Sequence, residues 1–133
     1  MIKPDREARI IKFRTWDKID KKWQETFTIE EACWIGFGWD NTDHLIFSQF
    51  TGLLDKNGKE IYEGDIVQIR LMDEEESLFV LTEIVWHNYK WLARSIKGKG
   101  GQGNWTYKYF DNPKNTEVIG NIYENPELLK EKP

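Results

Sequence analysis

An all-β protein with at most a minor helix is encoded here: apolar residues come in short runs rich in β-branched and aromatic side chains, tight-turn residues separate the runs, and aromatic rings make up 14% of the chain. Many short strands joined by tight turns make a barrel or a sandwich. The 133 residues fit one domain, 1–133, and seven Trp supply enough apolar surface to offset the entropy of folding.

In chain order, Ala8 to Trp16 mixes β-branched and aromatic residues with charges, and the polar Asp17 to Lys22 precedes Trp23 to Phe27, which predicts a hairpin. Thr28 lies three residues before Glu31, with Phe27 ahead and Ala32 behind. That spacing is a capping box for one short helical turn, which Gly36 and Gly38 then end. His44 to Leu54 is a strand. Asp55-Lys-Asn-Gly58 follows as the strongest turn in the chain, with a side-chain acceptor, an αL-tolerant Asn and a Gly suited to positive φ. Lys59 to Tyr62 returns as a short strand, Glu63-Gly64-Asp65 turns again, and Ile66 to Leu71 alternates apolar with polar residues. Asp73 to Glu76 breaks the pattern as a solvated acidic loop. Leu78–Trp86, Trp91–Lys97, Asn104–Phe110 and Glu117–Tyr123 are further strands, with the Gly-rich Gly98 to Gly103 as a hairpin loop. At the end, Asn125 before Pro126 marks the cap of a terminal turn docked by Leu128 and Leu129.

Three stretches resemble the YopX family of phage and prophage proteins, a group without an established biochemical role. They are Ile11-Lys-Phe-Arg-Thr-Trp-Asp17, Ser48-Gln-Phe-Thr-Gly-Leu-Leu-Asp-Lys-Asn-Gly-Lys-Glu-Ile-Tyr-Glu-Gly-Asp-Ile-Val67, and Glu117-Val-Ile-Gly-Asn-Ile-Tyr-Glu-Asn-Pro-Glu-Leu-Leu129. The resemblance implies a small SH3-like β-barrel in the second half of the chain (46–123), with the N-terminal hairpin and its connection (8–45) packed beside it and a terminal turn at 124–133. It implies no reaction. Between Met72 and Asn115 the likeness is loose. The matched Gly52, Gly58, Gly64 and Gly120 suit turns or close strand crossings, Asp65 is placed to accept backbone N–H groups, and Tyr62 is placed to set its ring inside and its hydroxyl at the rim.

A net charge of −4 made of many charges of both signs gives no global attraction to nucleic acid or to an anionic membrane. One cysteine, Cys33, allows no intramolecular disulfide, and its apolar neighbours Ala32 and Trp34 favour a buried, inert thiol. The charged N-terminus lacks an apolar core and no run approaches a membrane span, so the expectation is a cytoplasmic protein. Gly98-Lys-Gly-Gly-Gln-Gly103 satisfies G-x-G-x-x-G, yet a strand-former follows instead of the helix whose N-terminus would face a pyrophosphate. His44 and His87, even with Asp40 or Asp43, show no ligand spacing, and Asp73 to Glu76 lacks the EF-hand pattern. No catalytic, cofactor or metal residue is assigned.

One asymmetry remains. From His87 to Phe110 the chain carries Lys90, Arg94, Lys97, Lys99 and Lys108 with no Asp or Glu, among Tyr89, Trp91, Trp105, Tyr107, Tyr109 and Phe110. Trp105, Tyr107 and Tyr109 share one face of a regular strand, which is either barrel interior or an outward platform. The expectation is therefore a non-enzymatic accessory protein that binds a protein partner or its own copies, with no small-molecule substrate indicated. The alternative is a single-stranded nucleic-acid binder using Lys90, Trp91, Arg94, Lys97, Lys99, Trp105, Tyr107 and Tyr109, whose cations neutralise phosphates while rings stack on bases.

Overall fold

The computed structural model describes residues 10–31, 43–70, 79–100, 107–109 and 113–129, with the backbone alone for 97–100 and 107–109. Ten strands in these residues form two antiparallel five-stranded sheets. In the first, β1 (Lys12–Asp17) lies between β4 (Leu45–Leu54) on one side and β2 (Lys22–Trp23) and β3 (Phe27–Thr28) on the other, and β5 (Glu60–Tyr62) extends it beyond β4. The predicted N-terminal hairpin is present, with Trp16 opposite Trp23. Its turn is held by the buried Asp17, whose Oδ1 accepts the N–H groups of Ile19 and Asp20, each at 2.9 Å. The capping box is also there: Thr28 N–H donates to Glu31 Oε1 at 3.1 Å and Glu31 N–H to Thr28 Oγ1 at 3.2 Å, opening a helix at Ile29.

The second sheet runs β10 (Thr116–Asn121), β6 (Asp65–Arg70), β7 (Phe79–His87), β8 (Lys90–Gly100), β9 (Tyr107–Tyr109). Its buried face carries Val67, Ile69, Val80, Ile84 and Ala93, and Ile61 of β5 with Leu53 of β4 packs onto them. Here the first sheet covers the second. β4 makes this possible because its first half pairs with β1 and its second half with β5, with a change of register between Phe50 and Leu54. The Asp55 turn forms as its residues dictate: Asp55 Oδ1 accepts from Asn57 N at 2.8 Å and Lys59 N at 2.9 Å, and Gly58 has φ 81°.

Two local expectations are corrected. Gly98 to Gly100 are not loop but the end of β8, where Gly100 lies opposite Val80, since glycine accepts the extended backbone when a partner strand supplies the hydrogen bonds. The terminal turn follows Asn125 as expected, with Pro126 as its first residue, but the Asn125 side chain does not cap it. Its Oδ1 turns back to accept Asn121 N–H at 3.2 Å, while the residues after it form a single 3-10 turn, Pro126–Leu129. No helix among the described residues is long and apolar enough to cross a membrane.

Candidate functional site

Lys12, Arg14 and Trp16 alternate along β1 and so share one face of it. That face meets the β5–β6 turn. The Arg14 guanidinium lies between two rings, 4.1 Å from the Trp23 centroid and 4.7 Å from that of Tyr62. Its Nη2 donates to Asp65 Oδ1 at 2.7 Å and to Glu63 O at 3.4 Å, and its Nε donates to Ser48 Oγ at 3.2 Å. Ser48 Oγ in turn donates to Glu63 O at 2.6 Å. Asp65 is almost wholly buried and uses its second oxygen to accept Tyr62 N–H at 2.7 Å. Burial pushes the Asp65 carboxyl up from its ordinary pKa, against the pull of Arg14 and of the Tyr62 N–H. Two residues along, Lys12 pairs with Glu60 and sits 5.0 Å from the Phe50 ring, while Tyr62 Oη donates to Glu60 at 3.1 Å. Burial and the Glu60 charge raise the Tyr62 pKa, keeping that hydroxyl protonated.

Above Arg14 opens a polar cleft of about 430 Å³ between the sheets, bordered by Trp23 of β2, Lys59 just before β5, Val118 and Asn121 of β10, and Glu124 and Asn125 just after it. Trp23 stacks edge-on against Trp16 and Tyr123 at 5.0 and 5.5 Å, so its ring is a fixed wall. Its Nε1 donates to Glu124 Oε1 at 2.8 Å, and Asn121 Nδ2 donates to the same oxygen at 2.9 Å. These two bonds, Asn121 first, hold the Glu124 pKa below the usual carboxylate range. Sequence reasoning did not find this cleft, because its residues come from four distant segments. The one signal was Arg14, a cation set two residues from Trp16 on the same face of β1.

The residues singled out in 87–110 lie on β8 and β9 where they are described. Trp91 packs against the core, and Arg94 pairs with the buried Glu83. Lys90 faces His87 across the β7–β8 pair. Lys97, Lys99, Tyr107 and Tyr109 lie on described backbone, Tyr107 opposite Arg94 and Tyr109 opposite Leu92, whereas Trp105 is outside the described residues. Cys33, Asp40 and the acidic loop at 73–76 are outside them too. His44 lies 3.9 Å from Asp17, and no group of three His, Cys, Asp or Glu among the described residues is arranged to hold a metal.

The hairpin joining β7 to β8 is the second notable feature. Asn88 and Tyr89 have φ of 52° and 64°, as a type I′ turn requires, and the Tyr89 side chain is 92% exposed. Trp86 beside it is 52% exposed and meets Trp91 edge-on at 4.9 Å.

Fold and site together define a two-sheet antiparallel β protein with an arginine-floored cleft at the junction of its sheets. The family model described as YopX protein matches residues 12–130, and the chain belongs to the YopX family. Among solved structures it is similar to protein EF1440 from Enterococcus faecalis, at 24% identity and a TM-score of 0.53, covering 92% of this chain and all of that one. It is also similar to protein yopX from Bacillus subtilis, at 15% identity and a TM-score of 0.49, covering 92% of this chain and 98% of that one. No curated protein matches.

Proposed function

We propose that this chain is a non-enzymatic accessory protein of phage type, a binding module on an SH3-like barrel formed by 46–123, which contacts a protein partner through the β7–β8 hairpin tip. The observation that carries this reading is Tyr89, a large ring held fully in solvent on a positive-φ backbone. Trp86, half-exposed on the strand leading into the same turn, adds a second exposed ring on this two-stranded support, the kind of ring that anchors protein interfaces at low entropic cost. A protein is favoured over single-stranded nucleic acid because Arg94 is already engaged by Glu83 and Trp91 is committed to the core.

The test is capture from host extract, with and without nuclease treatment, by wild type and by Tyr89→Gly. A specific protein retained by the wild type and lost by the variant supports the reading. Retention that disappears with nuclease or falls steeply with salt would establish the nucleic-acid alternative instead.

A further inference from the structure

Three polar groups in the cleft above Arg14 are left unused by the protein. Arg14 is mostly buried and spends Nη2 and Nε on Asp65, Glu63 and Ser48, but its Nη1 has no acceptor among the described residues. The ammonium of the exposed Lys59 has no ion-pair partner among them either. On the other wall, Glu124 receives both its donors, Trp23 and Asn121, on Oε1, and Oε2 receives none from the described residues.

The lining thus offers two cationic donors and one anionic acceptor without a hydrogen-bond partner among the described residues, all bordering one space, with the Arg14 and Lys59 charges already acting on Glu124 across it. Its formal charges cancel, Arg14 and Lys59 against Asp65 and Glu124. A dianion such as phosphate would therefore leave excess negative charge beside Glu124, whose lowered pKa keeps it ionised. A simple amine would leave the Arg14 and Lys59 donors unmatched. The complement of such a cleft carries a carboxylate and an ammonium on one small frame.

We propose that this cleft binds a free α-amino acid, its carboxylate taken by Arg14 Nη1 and Lys59 and its ammonium by Glu124 Oε2, with the Trp23 ring as one wall. The Arg14 guanidinium is pre-set for this by its two flanking rings and by Asp65, so little entropy is lost on binding. The site is separate from the β7–β8 hairpin and stands or falls independently of it.

The experiment titrates the full chain with each common L-amino acid singly, and with acetate, methylammonium and inorganic phosphate, following tryptophan fluorescence and the melting temperature. At least one amino acid should bind saturably in the millimolar range or tighter, and acetate and methylammonium at least about tenfold more weakly, since each keeps one charged contact of two. Lys59→Met, at an exposed position, should weaken that amino acid about tenfold while the unliganded melting curve stays in place, and Glu124→Gln should weaken it as much while lowering the unliganded melting temperature slightly, since Trp23 and Asn121 lose a charged acceptor. Saturation by none of the amino acids, tighter binding of phosphate, or affinity unchanged in both variants would each overturn the proposal.

Discussion

Arg14 of β1 and Asp65 of β6 meet at 2.7 Å and so tie the first sheet to the second through one nearly dry ion pair. Breaking such a pair from one side leaves an uncompensated charge, so Arg14→Met should cost about 3–5 kcal/mol in urea unfolding. The pH dependence has a definite sign. Without Arg14, burial of Asp65 is opposed only by the Tyr62 N–H and the Lys59 charge, so its folded pKa rises further above the unfolded value and the folded state binds the proton more tightly. Stability of the variant should then be highest below the unfolded pKa and fall as pH rises through the folded one, making mild acid a partial rescue. A variant within 1 kcal/mol of wild type by the ~3–5 scale for buried pairs would mean that the pair does not join the sheets energetically.

Asp55 does more than shape its own turn. Besides Asn57 and Lys59, its carboxylate accepts Val118 N–H at 3.0 Å, and Lys56 N–H donates to Thr116 O at 3.0 Å. The turn thereby seals the outer edge of β10, whose other edge pairs with β6. Asp55→Ala should lose about 2–4 kcal/mol, because several donors to a charged acceptor go at once. Burial pushes this carboxyl up, yet the three backbone N–H groups outweigh it and hold its pKa below the ordinary value. Its contribution is therefore complete above the unfolded pKa and lost as pH falls through the folded one, and Asp55→Asn should flatten the acid limb of the stability profile there.

Gly58 and Gly64 share a positive φ, 81° and 85°, but differ in surroundings. A Cβ at Gly58 meets nothing within 4 Å, whereas one at Gly64 would lie 3.1 Å from the Tyr123 ring, which itself stacks on Trp16. Gly58→Ala should thus cost only the backbone term of about 1 kcal/mol, Gly58→Val somewhat more, and Gly64→Ala more than Gly58→Ala. Equal melting temperatures for the two alanine variants would show that the Tyr123 ring yields freely.

What could be read in the sequence was local. The Thr28–Glu31 box, the Asp55–Gly58 turn and the Trp16–Trp23 hairpin are each set by residues within a few positions, and each is found where the spacing puts it. What could not be read depends on tertiary partners. Nothing near Arg14 in the chain announces Asp65, 51 residues on, and nothing near Trp23 announces Glu124, 101 residues on. The run at 87–110 without Asp or Glu has a counter-charge that it does not itself show, for the same reason: Glu83, which pairs with Arg94, comes from the neighbouring strand just before the run begins.

Tyr89 offers the sharpest separation of stability from binding. Type I′ hairpin turns favour Asn-Gly because both central residues need positive φ, and here Asn88 fits while a bulky tyrosine stands where glycine would be relaxed. With 92% of the side chain in solvent, packing returns almost nothing for that strain. Tyr89→Gly should therefore leave the fold intact and raise stability by up to about 1 kcal/mol, seen as a higher melting temperature. If the ring is kept for contact with a partner, the same variant must also lose that partner. A variant that melts higher yet binds as well as wild type would detach the strain from function, and one that melts lower would mean that the Tyr89 ring packs in solution on the Trp86–Trp91 pair.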